Sequence, residues 1–475
     1  MFYDNLPGWN VAELLEKPTL QIATNCNKII TINHSLEILA QREKYGHLID
    51  LNGKEFAIPD YTIKQIYDAI PRHCFERNLF KSLLYVFQDL LGLFITFYIF
   101  HTFCTPTYIP SYSTRFTLWT LYTFIQGLFG SGVWVLAHEC GHMAFSPWKI
   151  FNDTLGLILH SALLVPYFSW KITHRNHHKH IANMSTDTSF VPVTRLAYAQ
   201  RFGKTIESIA EYSEDTPIYT FFYLLFHQLV DWQVYMVIMI GVGEHWFEKQ
   251  AKLKGEINPA RNEDGTLVRK YPRSGSHYNP HSPLYTPQDA KFIFITDIGL
   301  LITISILYFM GQRYGWLNLL VWYGIPYLWV NHWLIALTYL HHSDPSLPHY
   351  NPSTWTFTRG AASTIDRDFG WVGRHIFHNI IETHVLHHHI SIIPHYHAEE
   401  ASAAVQKVMG RHYRKDESGK GMWNFMVNYW RSATTCSWVE PSEGAVGEGK
   451  DVLFFRNRIG RGVKPAEMKV IGESR

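Results

Sequence analysis

Residues 116–146 read FTLWTLYTFIQGLFGSGVWVLA followed directly by HECGHMAFS. The first part is an apolar run, and a helix needs about 20 mostly apolar residues to cross a bilayer. The second part opens on His138-Glu139-Cys140-Gly141-His142, two histidines one helical turn apart. A span that ends on such a pair delivers two imidazoles to the membrane surface on one helix face. Three comparable runs follow from the same reading, at 83–103, 291–310 and 316–340. The first pairs with 116–137 through a loop near Thr105–Arg115, and the last two pair through Gly311–Tyr314. The predicted fold is therefore an all-α integral membrane protein. It has four transmembrane helices in two hairpins, interfacial helices, and a cytosolic histidine-rich helical cap.

Two further apolar segments carry polar groups. Residues 151–168 include Asp153 and His160, and residues 217–243 include His227 and Asp231. A charge at the bilayer centre is costly, so both are expected to lie in the interface or to dip in from one side. The alternative for 217–243 is a span whose polar residues face other helices. Each hairpin loop holds one Arg, Arg115 or Arg313, and no Lys. Basic residues concentrate in the N-terminal arm, in 169–205 and 249–273, and near the C-terminus. The positive-inside rule then places both termini and the long middle segment in the cytosol.

The organisation follows: 1–80 a cytosolic N-terminal arm, 81–410 the membrane domain, 411–475 a cytosolic C-terminal tail. Within the arm, 63–70 has helical spacing and stops at Pro71; residues 255–285, rich in Pro, Gly and polar groups, read as a loop. Residues 1–8 show no basic stretch followed by an apolar one, so no cleavable signal or transit peptide is expected.

Composition removes several classes. Lys+Arg total 42 and Asp+Glu 40, a formal net charge of +2, which leaves no electrostatic footprint for nucleic acid. Charged residues are 17% and hydrophobic residues 47%, which opposes wholesale disorder. Five scattered cysteines (Cys26, Cys74, Cys104, Cys140, Cys436) are too few and odd in number for a disulfide scaffold, and read as reduced thiols.

Histidine is the outlier, with 28 of 475 residues. Three clusters stand out: His138/His142, His174-Arg-Asn-His177-His178, and His384-Val-Leu-His387-His388. At this usage a fixed three-histidine pattern should arise by chance about 0.1 times in such a length, yet H-x-x-H-H occurs twice. Positions i, i+3 and i+4 share a helix face, and neutral imidazole suits zinc, copper, iron and nickel. With four spans, all three clusters and His341/His342 at the end of the fourth run land on the cytosolic side. A six-span arrangement would put the second cluster on the opposite face.

Lone histidines in apolar runs are usually packed or hydrogen-bonded, the reading for His101, His160 and His227. His180, His389, His395 and His397 flank the clusters as supporting or surface groups. Eight clustered imidazoles exceed what one metal holds and suit two. The first cluster alone also fits H-E-x-x-H, a zinc-peptidase pattern with Glu139 as general base, but that would leave two H-x-x-H-H clusters idle. A metal transporter would place ligands near mid-membrane rather than beyond span ends. Two histidine-held metals beside apolar spans point to oxygen chemistry on an acyl chain.

These three boxes resemble those of the membrane fatty acid desaturase superfamily. HECGHMAFS (138–146), FNDTLGLILHSALLVPYFSWKITHRNHH (151–178), FVPVTR (190–195), TYLHHSDPSLPHY (338–350) and ETHVLHHHISIIPHYHAEEA (382–401) resemble the Δ12/ω-3 oleoyl and linoleoyl desaturases of plants and fungi. FAIPDYTIKQIYDAIPRHCFERN (56–78) and VMGRHYR (408–414) are similar to the fungal branch. The resemblance implies a di-iron centre held by His138, His142, His174, His177, His178, His384, His387 and His388. A ninth ligand is expected at the end of the fourth span, His342, with His341 its rival. Glu139, Asp187 and Glu382 are the expected groups orienting imidazoles, as metal-bound histidine usually requires.

The implied reaction uses O2 and two electrons to place a cis double bond at Δ12 of oleoyl chains, giving linoleoyl chains. The family alternatives are ω-3 (Δ15) or combined desaturation, and acetylenase, hydroxylase or conjugase activity. The resemblance further implies electrons from cytochrome b5 and NADH-cytochrome b5 reductase, phospholipid-linked acyl substrates, and the endoplasmic reticulum membrane. Many relatives carry His or Gln where Met143 stands, and small or basic residues where Arg175 and Asn176 stand; such departures bear on the product rather than on metal binding.

Overall fold

A computed structural model describes residues 39–202, 217–238, 275–457 and 461–465. The first half of the arm, the 249–273 basic stretch, the 255–285 loop as far as 274, and the chain end lie outside the described residues. After a short helix α1 (Ile63–Ala69), capped by a reciprocal Thr62/Gln65 box, comes α2 (Leu79–Phe103). The Asn78 side chain accepts the Lys81 N–H at 3.0 Å and starts α2 where the apolar run begins. Helix α3 (Tyr112–Gly141) is the predicted second run, extended through the first histidine box. It is the central helix, buried along most of its length, whereas α2 and α8 (Ala290–Tyr314) expose rows of Phe, Leu and Ile suited to lipid.

The fourth run is helical too. A turn at Trp316–Leu319 and a π-helical stretch at Leu320–Gly324 lead into α9 (Ile325–His342). Small residues let α9 lie close on α3: a Cβ on Gly127 would stand 2.2 Å from Trp329 Cβ, and one on Gly130 2.7 Å from Val330 Cγ2. Around this contact Trp134, Val135, Val330, Trp333, Leu337, Phe369 and Phe377 form the main core.

The 151–168 segment needs correction. It is not one interfacial stretch but parts of two helices, α4 (Lys149–Ala162) and α5 (Tyr167–His180), bent by 108° at the break. Leu164 takes a positive φ of 53° there, and Pro166 blocks continuation. The bend carries α5, with the second histidine box, back beside the end of α3. A short α6 (Arg195–Phe202) follows. Helix α7 (Pro217–Ile238) is long and apolar enough to cross a membrane. His227 and Asp231, the charges that argued against a crossing, pair with each other at 2.6 Å.

The cap holds α10 (His384–His389), α11 (His395–Met409) and α12 (Gly421–Thr435). Here the all-α expectation is corrected. Three short strands, β1 (Pro348–Tyr350), β2 (Trp438–Pro441) and β3 (Val452–Arg456), form an antiparallel sheet in the order β1-β3-β2. Tyr350 pairs with Val452 and Trp438 with Arg456. Through its described residues the C-terminal segment packs back onto the rest of the protein. Val452 and Phe454 pack on Tyr45, Leu48 and Phe56 of the arm, and Phe425 and Tyr429 of α12 join the main core.

Candidate metal centre

The end of α3 contributes His138 and His142, their ring centroids 4.6 Å apart. Helix α5 brings its box alongside. His174 Nε2 lies 3.0 Å from His138 Nε2 and 3.1 Å from His178 Nε2. With His387 from α10, these make five imidazoles whose donor atoms all lie within 4.8 Å of one another. A second group stands beside it. The donor atoms of His177, His342 and His388 also lie within 4.8 Å, and His384 Nε2 is 3.3 Å from His342 Nε2. The two groups abut where the His178 and His388 rings stack at 4.1 Å.

Helix geometry explains how each H-x-x-H-H box serves both groups. At about 100° per residue, positions i and i+4 are about 40° apart, while i+3 and i+4 diverge by about 100°. In α5 the i, i+4 pair His174/His178 faces the five-membered group and His177 turns to the other. In α10 the roles reverse: His384/His388 face the four-membered group and His387 the five. The same spacing, approached from opposite sides, builds two adjacent histidine groups.

These donors fit metal ions. His142 Nε2, His387 Nε2 and both ring nitrogens of His388 are buried without a hydrogen-bond partner among the described residues. His177 Nδ1–H donates to Asp187 at 2.8 Å, so its Nε2 lone pair points into the cluster. Burial, reinforced by neighbouring imidazoles, pushes His384 and His388 well below 6.5 and His387 to about 3. They are therefore neutral, the form that ligates.

Between the two histidines ending α9, the geometry separates the roles. His342 faces the second group, 3.3 Å from His177 Nε2. His341 instead donates from Nδ1 to the Ile365 carbonyl at 2.6 Å and stacks on His384 at 4.0 Å.

The three carboxylates behave differently from one another. Asp187 fixes His177 and is itself held by the N–H groups of Ala182 and Ser189, each at 3.0 Å. Glu139 orients no box imidazole; it accepts the backbone N–H and the Nδ1–H of His395, both at 2.7 Å. So engaged, it does not stand between His138 and His142 as a peptidase base. Glu382 accepts the Phe369 N–H at 3.0 Å, and burial raises it to about 8. The lone histidines pack as expected: His160 bonds the Trp134 carbonyl at 3.3 Å and His101 stacks on Phe97.

Several supporting residues escape a sequence reading. Asp366 accepts the Val385 N–H at 2.8 Å and the Tyr413 hydroxyl, anchoring the start of α10; burial lifts its carboxyl to about 7. Arg367 joins Asp344 at 2.7 Å, Asp416 at 2.8 Å and the Leu340 carbonyl, tying the end of α9 to the cap. His378 and Asn379, both at positive φ, form the turn into the third box, and His378 is pinned by Asp89 of α2 at 2.8 Å. The one local signal was the charged triplet Asp366-Arg367-Asp368 in a stretch otherwise destined for burial.

The fatty acid desaturase family model matches residues 114–420, which include all nine histidines. An oleate hydroxylase of Claviceps purpurea is 48% identical over 435 residues, covering 92% of this chain and 89% of the relative. A Δ(12) fatty acid desaturase of Mortierella alpina is 36% identical over 413 residues, covering 85% and 92%. The Δ(12) fatty acid desaturase of Vernicia fordii is 37% identical over 405 residues, covering 84% and 93%. With its apolar helices and buried histidine cluster, the chain belongs to the fatty acid desaturase family and is a multi-pass membrane oxidoreductase.

Proposed function

We propose that the nine histidines hold two iron ions, one in each group, and that the enzyme desaturates oleoyl chains at Δ12 to give linoleoyl chains. The observation that carries this is the division of nine imidazoles, six buried and three half-buried, into two abutting groups in a chain of this family. Iron, when bound, supplies the reduction of O2. The protein's own residues hold the Nε2 lone pairs inward, keep bulk water out by burial, and fix ring orientation, His177 through Asp187. The names of the relatives favour an oleoyl substrate and the twelfth carbon.

Electrons are proposed to come from cytochrome b5 and NADH-cytochrome b5 reductase, and the substrate to be phospholipid-linked in the endoplasmic reticulum membrane. We read the chain as crossing four times with both termini cytosolic; parity supports an even count in its second half. His177 and His342 meet at 3.3 Å, so the chain between them crosses an even number of times. In this reading α8 and α9 are the two crossings, and α7, although long and apolar enough to cross, lies at one side.

Hydroxylation at the same carbon is the second reading, favoured by the 48% identity to an oleate hydroxylase. Desaturation removes two hydrogens and releases two waters; hydroxylation leaves one oxygen on carbon and releases one water. Each consumes one O2, two electrons and two protons, so the same donor set serves both. Expression in a yeast that makes oleate but no linoleate, with mass spectrometry of the fatty acids, separates them. A 9,12-dienoic C18 acid is expected. A 12-hydroxy acid would assign the second reading, and an unchanged profile with the protein present in the membrane would overturn both.

A further inference from the structure

We propose that His73, Cys74, His397 and Glu400 form a separate mononuclear metal site of the zinc class, which clasps the arm to α11 at the cap surface. Their donor atoms lie within 4.8 Å of one another. His73 and Cys74 come from a 3₁₀ turn, Arg72–Phe75, just ahead of α2. His397 and Glu400 are i, i+3 on the first turns of α11 and share one face. The two elements meet although more than 300 positions separate them in the chain: His73 Nε2 is 2.9 Å from Glu400 Oε2, and Cys74 Sγ is 3.7 Å from His73 Nε2.

The spacing and the donor set both suit zinc. Tetrahedral zinc with bonds of about 2.0–2.3 Å spaces its ligand atoms roughly 3.3–3.8 Å apart. The 3.7 Å Cys74–His73 spacing already matches; the 2.9 Å His73–Glu400 pair opens slightly, and the remaining pairs, all within 4.8 Å, close on it by about 1 Å at most. One sulfur, two imidazole nitrogens and one carboxylate oxygen complete four-coordination, which describes a closed structural site. Cys74 is fully buried beneath the cluster, while the His73 and Glu400 side chains are 52% and 53% exposed. An ion can thus enter from water and find a thiol fixed at the base. On binding, the sulfur releases its proton to solvent.

The location gives the clasp a purpose. Ile66, Ile70 and Cys74 pack with Ala401 and Val405 of α11 and with Val385 and Leu386 of the third histidine box. A metal joining the turn to α11 braces the wall behind α10, and it shares no ligand with the nine central histidines. The bland account is an exposed His–Glu ion pair above a buried thiol, a contact worth little by itself.

A thiolate distinguishes the two accounts, because the central clusters contain only histidine. Iron-loaded full-length protein in detergent is titrated with Co2+ and followed in the near ultraviolet. A thiolate-to-cobalt charge-transfer band saturating at one equivalent is expected, bleached by added Zn2+. Cys74→Ser should abolish it, and Glu400→Gln, a change on an exposed side chain, should weaken cobalt binding at least about 10-fold with iron content unchanged. Absence of the band at saturating cobalt overturns the site, as does a band that keeps wild-type affinity in Glu400→Gln. Neither result bears on the proposed desaturation.

Discussion

His177 and His342 stand 165 positions apart in the chain, yet their Nε2 atoms approach to 3.3 Å. With its Nδ1–H given to Asp187, His177 turns its Nε2 lone pair toward the His342 ring. The contact joins α5 to the end of α9 and makes the second histidine group a product of tertiary structure.

His342→Ala should therefore reduce product at least about 100-fold, beyond the loss usual for an orienting group, while His341→Ala should stay within about 10-fold of wild type. Fatty acid profiles of yeast membranes carrying equal amounts of each variant test the pair. Equal loss in both would contradict the assignment of His342 to the cluster.

Asp187→Asn preserves shape but replaces the carboxylate that receives the His177 Nδ1–H. Iron retention and turnover should both fall by about 10- to 100-fold. The check is iron per protein after mild chelation; unchanged retention would show that His177 is oriented by packing alone.

Tyr413→Phe removes a hydroxyl donor from fully buried Asp366. Leaving that carboxylate oxygen unsatisfied should cost about 1–3 kcal/mol. A lower melting temperature in detergent, accompanied by reduced activity through a displaced α10, is the expected outcome.

Gly127→Val places a branched side chain where even Cβ stands 2.2 Å from Trp329 Cβ. Overpacking of this kind costs about 1–3 kcal/mol or more, and here both clashing atoms sit on rigid helices. Size-exclusion profiles of the solubilised protein should shift toward aggregate, and a wild-type profile would show that α3 and α9 can move apart.

His277 links the described start of the segment before α8 to α5 and α7: its Nε2 accepts from Thr173 Oγ1 at 3.2 Å and its backbone N–H donates to the Met236 carbonyl at 2.9 Å. Burial lowers its pKa from 6.5 to about 4. A histidine depressed in the folded state contributes stability above its unfolded pKa, and that contribution is lost as pH falls from about 6.5 toward 4. His277→Gln should flatten the fall of unfolding free energy over this window by up to about 3 kcal/mol, read from denaturation curves in detergent. Parallel wild-type and variant curves would show that other groups set the acid response.

Much of this protein was decided by local pattern. An apolar run of sufficient length becomes a helix in lipid whatever surrounds it, because an unpaired backbone has no partner there. Histidines at i, i+3 and i+4 share a face by helix geometry alone. The histidine boxes, the long apolar helices and the packed character of His160 were legible for that reason. What no period encodes is which distant surfaces meet. The 108° bend between α4 and α5, the assortment of each box between two groups, and the choice of His342 over His341 arise from packing of helices far apart in sequence. So do the pairing of Glu139 with His395, the anchoring of α10 by Asp366, and a sheet that draws the C-terminal segment against the arm. Such contacts become favourable only once the whole chain has closed around them, and tertiary structure alone decides them.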